Sequence, residues 1–180
     1  GYDLPFAKEG SRHLLTHRLR IAHAHVSRFE RNAALVRFLG GEVPSAPAAL
    51  TLGNAPASLP ELPERFALIH PGTSPKTSYK RWEAERFGEV ARTLHERAGI
   101  PSLVAFGPVP GEQAAARAVV AAAAGAAQLA PSTGSIAEFL ALLSRAAVFV
   151  GCDSGPMHLA SLARTPAVAI FGPTDPIENG

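Results

Sequence analysis

Between Val148 and Ala160 the chain reads VFVGCDSGPMHLA. An apolar run suited to a buried parallel strand ends there in a polar turn that opens a helix. Asp153 and Ser154 are helix-capping types, Pro156 is tolerated in a first helical turn, and Gly155 leaves backbone N–H groups open to a ligand. His158 follows about one helical turn later. A carboxylate, a hydroxyl, bare backbone donors and an imidazole therefore converge at the carboxyl end of a strand, where open α/β sheets bind ligands. Each also has a plainer use: Asp153 and Ser154 as caps, His158 as a packing residue.

Other strand-end loops carry related chemistry. HPGTSPKTSYKRW, from His70 to Trp82, offers the hydroxyls of Thr73, Ser74, Thr77 and Ser78 beside Lys76, Lys80 and Arg81. Hydroxyls, amides and an ammonium are what a diphosphate needs, although a solvated loop would look much the same. The loop lacks the G-x-x-x-x-G-K-[ST] phosphate motif. In FGPVPGE, Glu112 stands where a helix begins, so its carboxylate suits either the helix dipole or ribose hydroxyls. In FGPTDP, Thr174 and Asp175 are caps or ligand groups.

The elements that must position these residues alternate. Strand-length apolar runs lie at Phe66 to His70, Ser102 to Gly107, Ala127 to Ala130, Val148 to Cys152 and Ala167 to Phe171. Helical patterns separate or follow them at Glu83 to Ala98, Glu112 to Ala124, Ser135 to Arg145 and Pro156 to Arg164. That alternation predicts an α/β domain, a parallel sheet with helices on both faces. Ser135 with Glu138 forms a capping box. Trp82 is expected to staple its helix to the sheet, and Met157 to sit in the core. An earlier helix is expected from near His25, with Val26, Phe29, Ala33, Val36 and Phe38 on one stripe and Gly40 and Gly41 ending it. Three segments follow: 1–41 as the remnant of a preceding domain with a connecting helix, 42–64 as a Pro/Ala-rich linker with one short strand at Ala49 to Leu52, and 65–180 as the ligand-binding domain.

Composition narrows the class. The chain has 180 residues, a net charge of +2 and one cysteine. The weak charge does not call for nucleic acid, and Cys152 is expected to be apolar filler in a reducing compartment. No signal peptide or membrane span is expected, and peripheral membrane contact stays open. The His13/His17 spacing would suit two metal ligands, but no third follows. No G-x-G-x-x-G follows a strand, which argues against a dinucleotide dehydrogenase. Asp3, Asp153 and Asp175 are the only aspartates, so there is no D-x-D pair for a metal-nucleotide complex, and a metal-independent site is expected.

Taken together, HPG with KRW downstream, FGPxPxE, VGCDSGPMHLA and FGPTDP resemble the carboxyl-terminal half of glycosyltransferase family 9, the ADP-heptose:lipopolysaccharide heptosyltransferases; HLLTHR with FERNAAL resembles that family's inter-domain join. The resemblance implies a GT-B architecture, two Rossmann-like domains facing across a cleft, with this chain supplying the second. It implies inverting, metal-independent transfer of heptose from an ADP-heptose donor, without a cofactor, to the lipopolysaccharide inner core. It assigns Lys80 to the donor phosphates, Glu112 to the ribose, and Thr73 and Ser74 to a phosphate-facing loop. Asp153, Ser154 and Gly155 become the element contacting diphosphate and sugar, with His158 beside it. The general base and acceptor recognition belong to the family's amino-terminal domain, so this portion is expected to bind donor without transferring sugar. A cytoplasmic location, with peripheral contact at the inner membrane, accompanies that role. The rival readings are a GT-B enzyme with another nucleotide sugar, a non-catalytic nucleotide-binding module, and an α/β domain with no ligand.

Overall fold

The computed structural model describes residues 1–22, 25–45, 59–109 and 111–180. The chain divides into two compact units, one formed by Gly1–Ala48 with Asp175–Gly180 and the other by Ala49–Thr174.

The larger unit is a five-stranded parallel sheet. Its strands are β1 (Ala67–His70), β2 (Ser102–Val104), β3 (Ala127–Leu129), β4 (Val148–Cys152) and β5 (Ala167–Ile170), in spatial order β3-β2-β1-β4-β5. Central β1 pairs with β2 and β4, and all its residues are buried, which is why it reads as an apolar run up to His70 rather than an alternating one. The expected strands are present, each within a few residues of the apolar runs.

Strand order explains the two helical layers. The chain winds outward from β1 through β2 to β3, then returns across the sheet to β4, so later helices cover the opposite face. In this unit α2 (Ala84–Ala98) and α3 (Glu112–Ala122) pack on Ile69, Val104 and Val150, whereas α4 (Ile136–Arg145) and α5 (Gly155–Leu162) pack on Leu68, Leu103 and Phe149. Successive residues of one strand feed opposite cores, as a period of two requires. Trp82 meets Phe87 of α2 edge-on at 5.2 Å, so it staples that helix as expected, and Met157 and Cys152 are buried. Gly88 of α2 lies so close to α3 that a Cβ would fall 2.7 Å from the Ala122 carbonyl carbon.

The capping box differs from the sequence pattern in one bond. Ser135 accepts from the Glu138 amide at 3.2 Å, but the Glu138 carboxylate reaches past the cap residue to the Gly134 N–H at 2.7 Å.

The smaller unit contains α1 (Arg28–Phe38), capped by Ser27, and α6 (Pro176–Asn179), capped by Asp175. The apolar stripe expected to bury α1 does so only at Ala33; Phe29, Val36 and Phe38 are exposed, because no described element of this unit covers them. Of the stretch 42–64 expected as a linker, the described residues 42–45 and 59–64 carry no helix or strand, Leu59 and Leu62 pack against the core of the larger unit, and the short strand expected at Ala49 to Leu52 lies outside the described residues. No helix among the described residues is long and apolar enough to cross a membrane.

Candidate nucleotide site

Four strand-end loops of the larger unit enclose a cavity of about 550 Å³. Gly72, Thr73 and Ser74 come from the loop after β1, and Phe106 to Val109 with Glu112 from the loop after β2. Thr133 to Ile136 follow β3, and Ser154 to Pro156 follow β4. The cavity lies where neighbouring strands β1 and β4 send their connections to opposite faces, the place where doubly wound sheets leave a crevice. Helices α3, α4 and α5 all begin at its rim, presenting N–H groups without intrahelical partners and the positive ends of their dipoles. Phe106, Val109, Ile136 and Phe139 supply apolar lining to the same cavity. Such a space suits a ligand with one flat apolar end and one anionic end.

Glu112 is the buried acid of this cavity. Its Oε2 accepts the Gly107 N–H at 2.7 Å, so the carboxylate is not spent on its own helix. Two glycines make room for it: a Cβ on Gly107 would fall 2.7 Å from Oε2, and one on Gly72 would fall 3.0 Å from Oε1. The same imagined atom on Gly72 would lie 2.8 Å from Cε1 of His70. His70, at the end of β1, is buried with its ring edge-on to Phe139 at 6.1 Å, and its Nδ1 has no hydrogen-bond partner among the described residues. Burial holds its imidazole below the ordinary 6.5, and the negative charge of Glu112 works against that. The sequence places His70 at the end of the first strand run and the start of the following loop, with no site role of its own. The available signal was a polar residue closing an otherwise apolar central strand.

Beside the cavity, Lys80 Nζ donates to Asp153 Oδ2 at 2.7 Å, and the Thr174 hydroxyl donates to the same oxygen at 2.7 Å. Both partners of the ion pair are largely shielded, with side chains 13% and 5% exposed. Burial alone would raise the Asp153 carboxyl; hydrogen bonds from Lys80 and Thr174, with the nearby charge of Lys80, outweigh that and hold it below its ordinary value. Asp153 is therefore not a helix cap. Nor does Ser154 cap α5 with its side chain, because its hydroxyl turns back to the Cys152 carbonyl at 3.2 Å. The amino end of α5 is left to its backbone, and a Cβ on Gly155 would meet nothing within 4 Å.

Of the residues singled out from the sequence, Thr73, Ser74, Glu112, Ser154 and Gly155 line one cavity, and Lys80 and Asp153 form the adjoining pair. His158 is exposed on α5 and does not line the cavity, though its charge helps to lower the Asp153 carboxyl. Thr174 serves Asp153, whereas Asp175 caps α6 through the Ile177 N–H at 2.8 Å. In the smaller unit His25, Asp175 and Glu178 bring three ligand-type atoms within 4.8 Å, an arrangement already occupied by the His25–Asp175 contact at 3.0 Å.

The family model for glycosyltransferase family 9 (heptosyltransferase) matches residues 6–180. The chain belongs to that family. Lipopolysaccharide heptosyltransferase 3 of Escherichia coli (strain K12) is 29% identical over 117 residues, covering 62% of this chain and 32% of that protein. The family 9 chain thus spans about a third of the length of the curated relatives it matches. Among solved structures, E. coli heptosyltransferase WaaC with ADP superposes with a TM-score of 0.73 at 24% identity, covering 100% of this chain and 55% of that one. A family 9 glycosyltransferase from Veillonella parvula DSM 2008 gives 0.53 at 26% identity, covering 65% and 33%. These likenesses carry the fold: a Rossmann-like α/β domain.

Proposed function

We propose that this chain is the donor-binding part of a GT-B heptosyltransferase, which transfers heptose from ADP-heptose to the lipopolysaccharide inner core. The observation that carries the reading is a cavity at the carboxyl end of the sheet, where a buried carboxylate, a Ser/Thr turn and three helix amino ends meet. Supporting it are the family membership and the E. coli relatives, one named for lipopolysaccharide heptosyl transfer and one solved with ADP.

In this reading the base lies along the apolar lining and the ribose hydroxyls donate to Glu112, whose Oε2 is already oriented by Gly107. The diphosphate faces the Ser74 turn and the open amides at Gly155. As the bond between the sugar and the diphosphate breaks, charge grows on the leaving group. Donors fixed beforehand at the start of α5 stabilise that charge without reorganising. Lys80 adds a cation beside the same turn. Its bond to Asp153 fixes the ammonium and uses only one of its three N–H groups. Asp153, with Oδ2 already taken twice, turns to sugar hydroxyls rather than to phosphate, since two anions would repel.

Attack by the acceptor hydroxyl from the face opposite the diphosphate inverts the anomeric centre. The base that removes its proton, and the acceptor site, are assigned to the family's amino-terminal domain. No metal or cofactor is required by this scheme, because helix dipoles and Lys80 supply the positive charge. The catalytic role assigned within this chain is leaving-group stabilisation by Lys80. The enzyme is placed in the cytoplasm, with peripheral contact at the inner membrane where its lipid-linked acceptor lies.

Calorimetric titration with ADP, UDP and GDP tests the donor site. ADP is expected to bind, unaffected by EDTA, and Glu112→Ala to weaken it about tenfold or more, as loss of a charged hydrogen-bond acceptor should. Equal binding of all three nucleotides, or of none, would remove the ADP assignment.

A further inference from the structure

We infer that Arg81 is a positioning residue that locks the turn after β1 into its ligand-facing form, and thereby sets how tightly the diphosphate end of a nucleotide is held. The inference rests on the donor-site reading above. The turn is poorly determined by its own sequence. Residues Pro75–Lys80 form a 3-10 segment interrupted at Thr77, where φ is −121° and ψ is 28°, and such segments rarely persist beyond a few residues unaided. Thr73, Ser74, Thr77 and Ser78 offer the backbone several competing local hydrogen bonds.

One side chain selects among them. Arg81 Nε donates to the Thr73 hydroxyl at 3.1 Å, and its Nη2 donates to the Thr73 carbonyl at 3.0 Å. The Thr73 hydroxyl passes its own single proton to the Thr77 carbonyl at 3.0 Å. Ser74 and Thr77 close the ring through their hydroxyls at 2.9 Å. Thr73 is buried, and its hydroxyl proton is spent inside the turn, so it supports the cavity wall instead of donating to a ligand. Ser74 and the adjoining backbone are thereby held toward the cavity. The two bonds to one residue require the flat, forked guanidinium; a lysine ammonium is a point donor and cannot span both acceptors in that geometry.

The test uses the full chain with ADP and adenosine as probes, alongside amide hydrogen exchange. Arg81→Ala is expected to weaken ADP about tenfold while leaving adenosine within about twofold, the loss of one or two oriented hydrogen bonds being of that size. The amides of Thr77 and Arg81, which bond the Ser74 and Ser78 carbonyls at 2.9 and 3.0 Å, should exchange faster, with β1 and β4 unchanged. Arg81→Lys should resemble Arg81→Ala. Equal weakening of ADP and adenosine, full rescue by lysine, or unchanged ADP binding would overturn the inference. Selective loss of ADP without faster exchange would overturn it too, because Arg81 would then act on phosphate through its own charge. Should the unsubstituted chain bind neither probe, the donor-site reading fails, and exchange in the turn still decides whether Arg81 locks it. If Arg81→Ala does not fold, Thr73→Val, which keeps the carbonyl bond and loses the hydroxyl, is read by the same measurements.

Discussion

Lys80 and Asp153 meet at 2.7 Å although 73 positions separate them. Removing one member of so shielded a pair strands a charge, which typically costs about 3–5 kcal/mol. Lys80→Ala is therefore expected to lower the unfolding free energy by several kcal/mol in urea denaturation, and Lys80→Ala with Asp153→Asn to lower it by clearly less. Additive losses would mean that the two groups do not interact. His70 gives a pH test. Its folded imidazole titrates below the ordinary 6.5, mainly through burial, so the unfolded state binds more protons as pH falls through that value. Unfolding free energy should thus be flat above about pH 7, decline below it, and level off once pH passes the folded value; His70→Gln should remove that decline. The corresponding loss from Asp153 lies lower, beneath its ordinary 3.8, so the two windows separate.

At the scale of elements, glycines distinguish packing from binding. A methyl group at Gly88 would press on backbone atoms where α2 meets α3, which cannot move without shifting a helix. Gly88→Ala should cost about 1–3 kcal/mol in denaturation while ADP affinity, measured by titration, is retained. A methyl at Gly107 would meet only the carboxylate end of Glu112, which can swing away. Gly107→Ala is expected to leave stability nearly unchanged and to lose ADP binding, the reverse pattern. The strands and helices themselves were readable from apolar runs and capping residues because those signals are local. The exposure of α1 was not: its periodic Phe29, Val36 and Phe38 mark a face, and burial depends on whether something packs there.

For the whole molecule, a ligand that binds only the folded form must stabilise it. Saturating ADP at about a hundred times its dissociation constant should add about 2.7 kcal/mol, visible as a rise in the unfolding midpoint, and a tenfold weakening by Glu112→Ala should cut that to about 1.4 kcal/mol at the same ADP concentration. A midpoint indifferent to millimolar ADP would set the donor reading aside.

By itself the sequence determined the parallel α/β class, the families of loops that carry chemistry and the residue types within them, because hydrophobic period, glycine turns and the D-S-G-x-x-H element are short-range patterns. Only the tertiary structure decided that Asp153 serves Lys80 and Thr174 instead of capping α5, that His158 is exposed on α5 outside the cavity lining, and that His70 and Glu112 both lie against Gly72. Those outcomes depend on which strand lies beside which. Returning from β3 across the sheet to β4 brings together side chains far apart in the chain, and no local pattern records that neighbourhood.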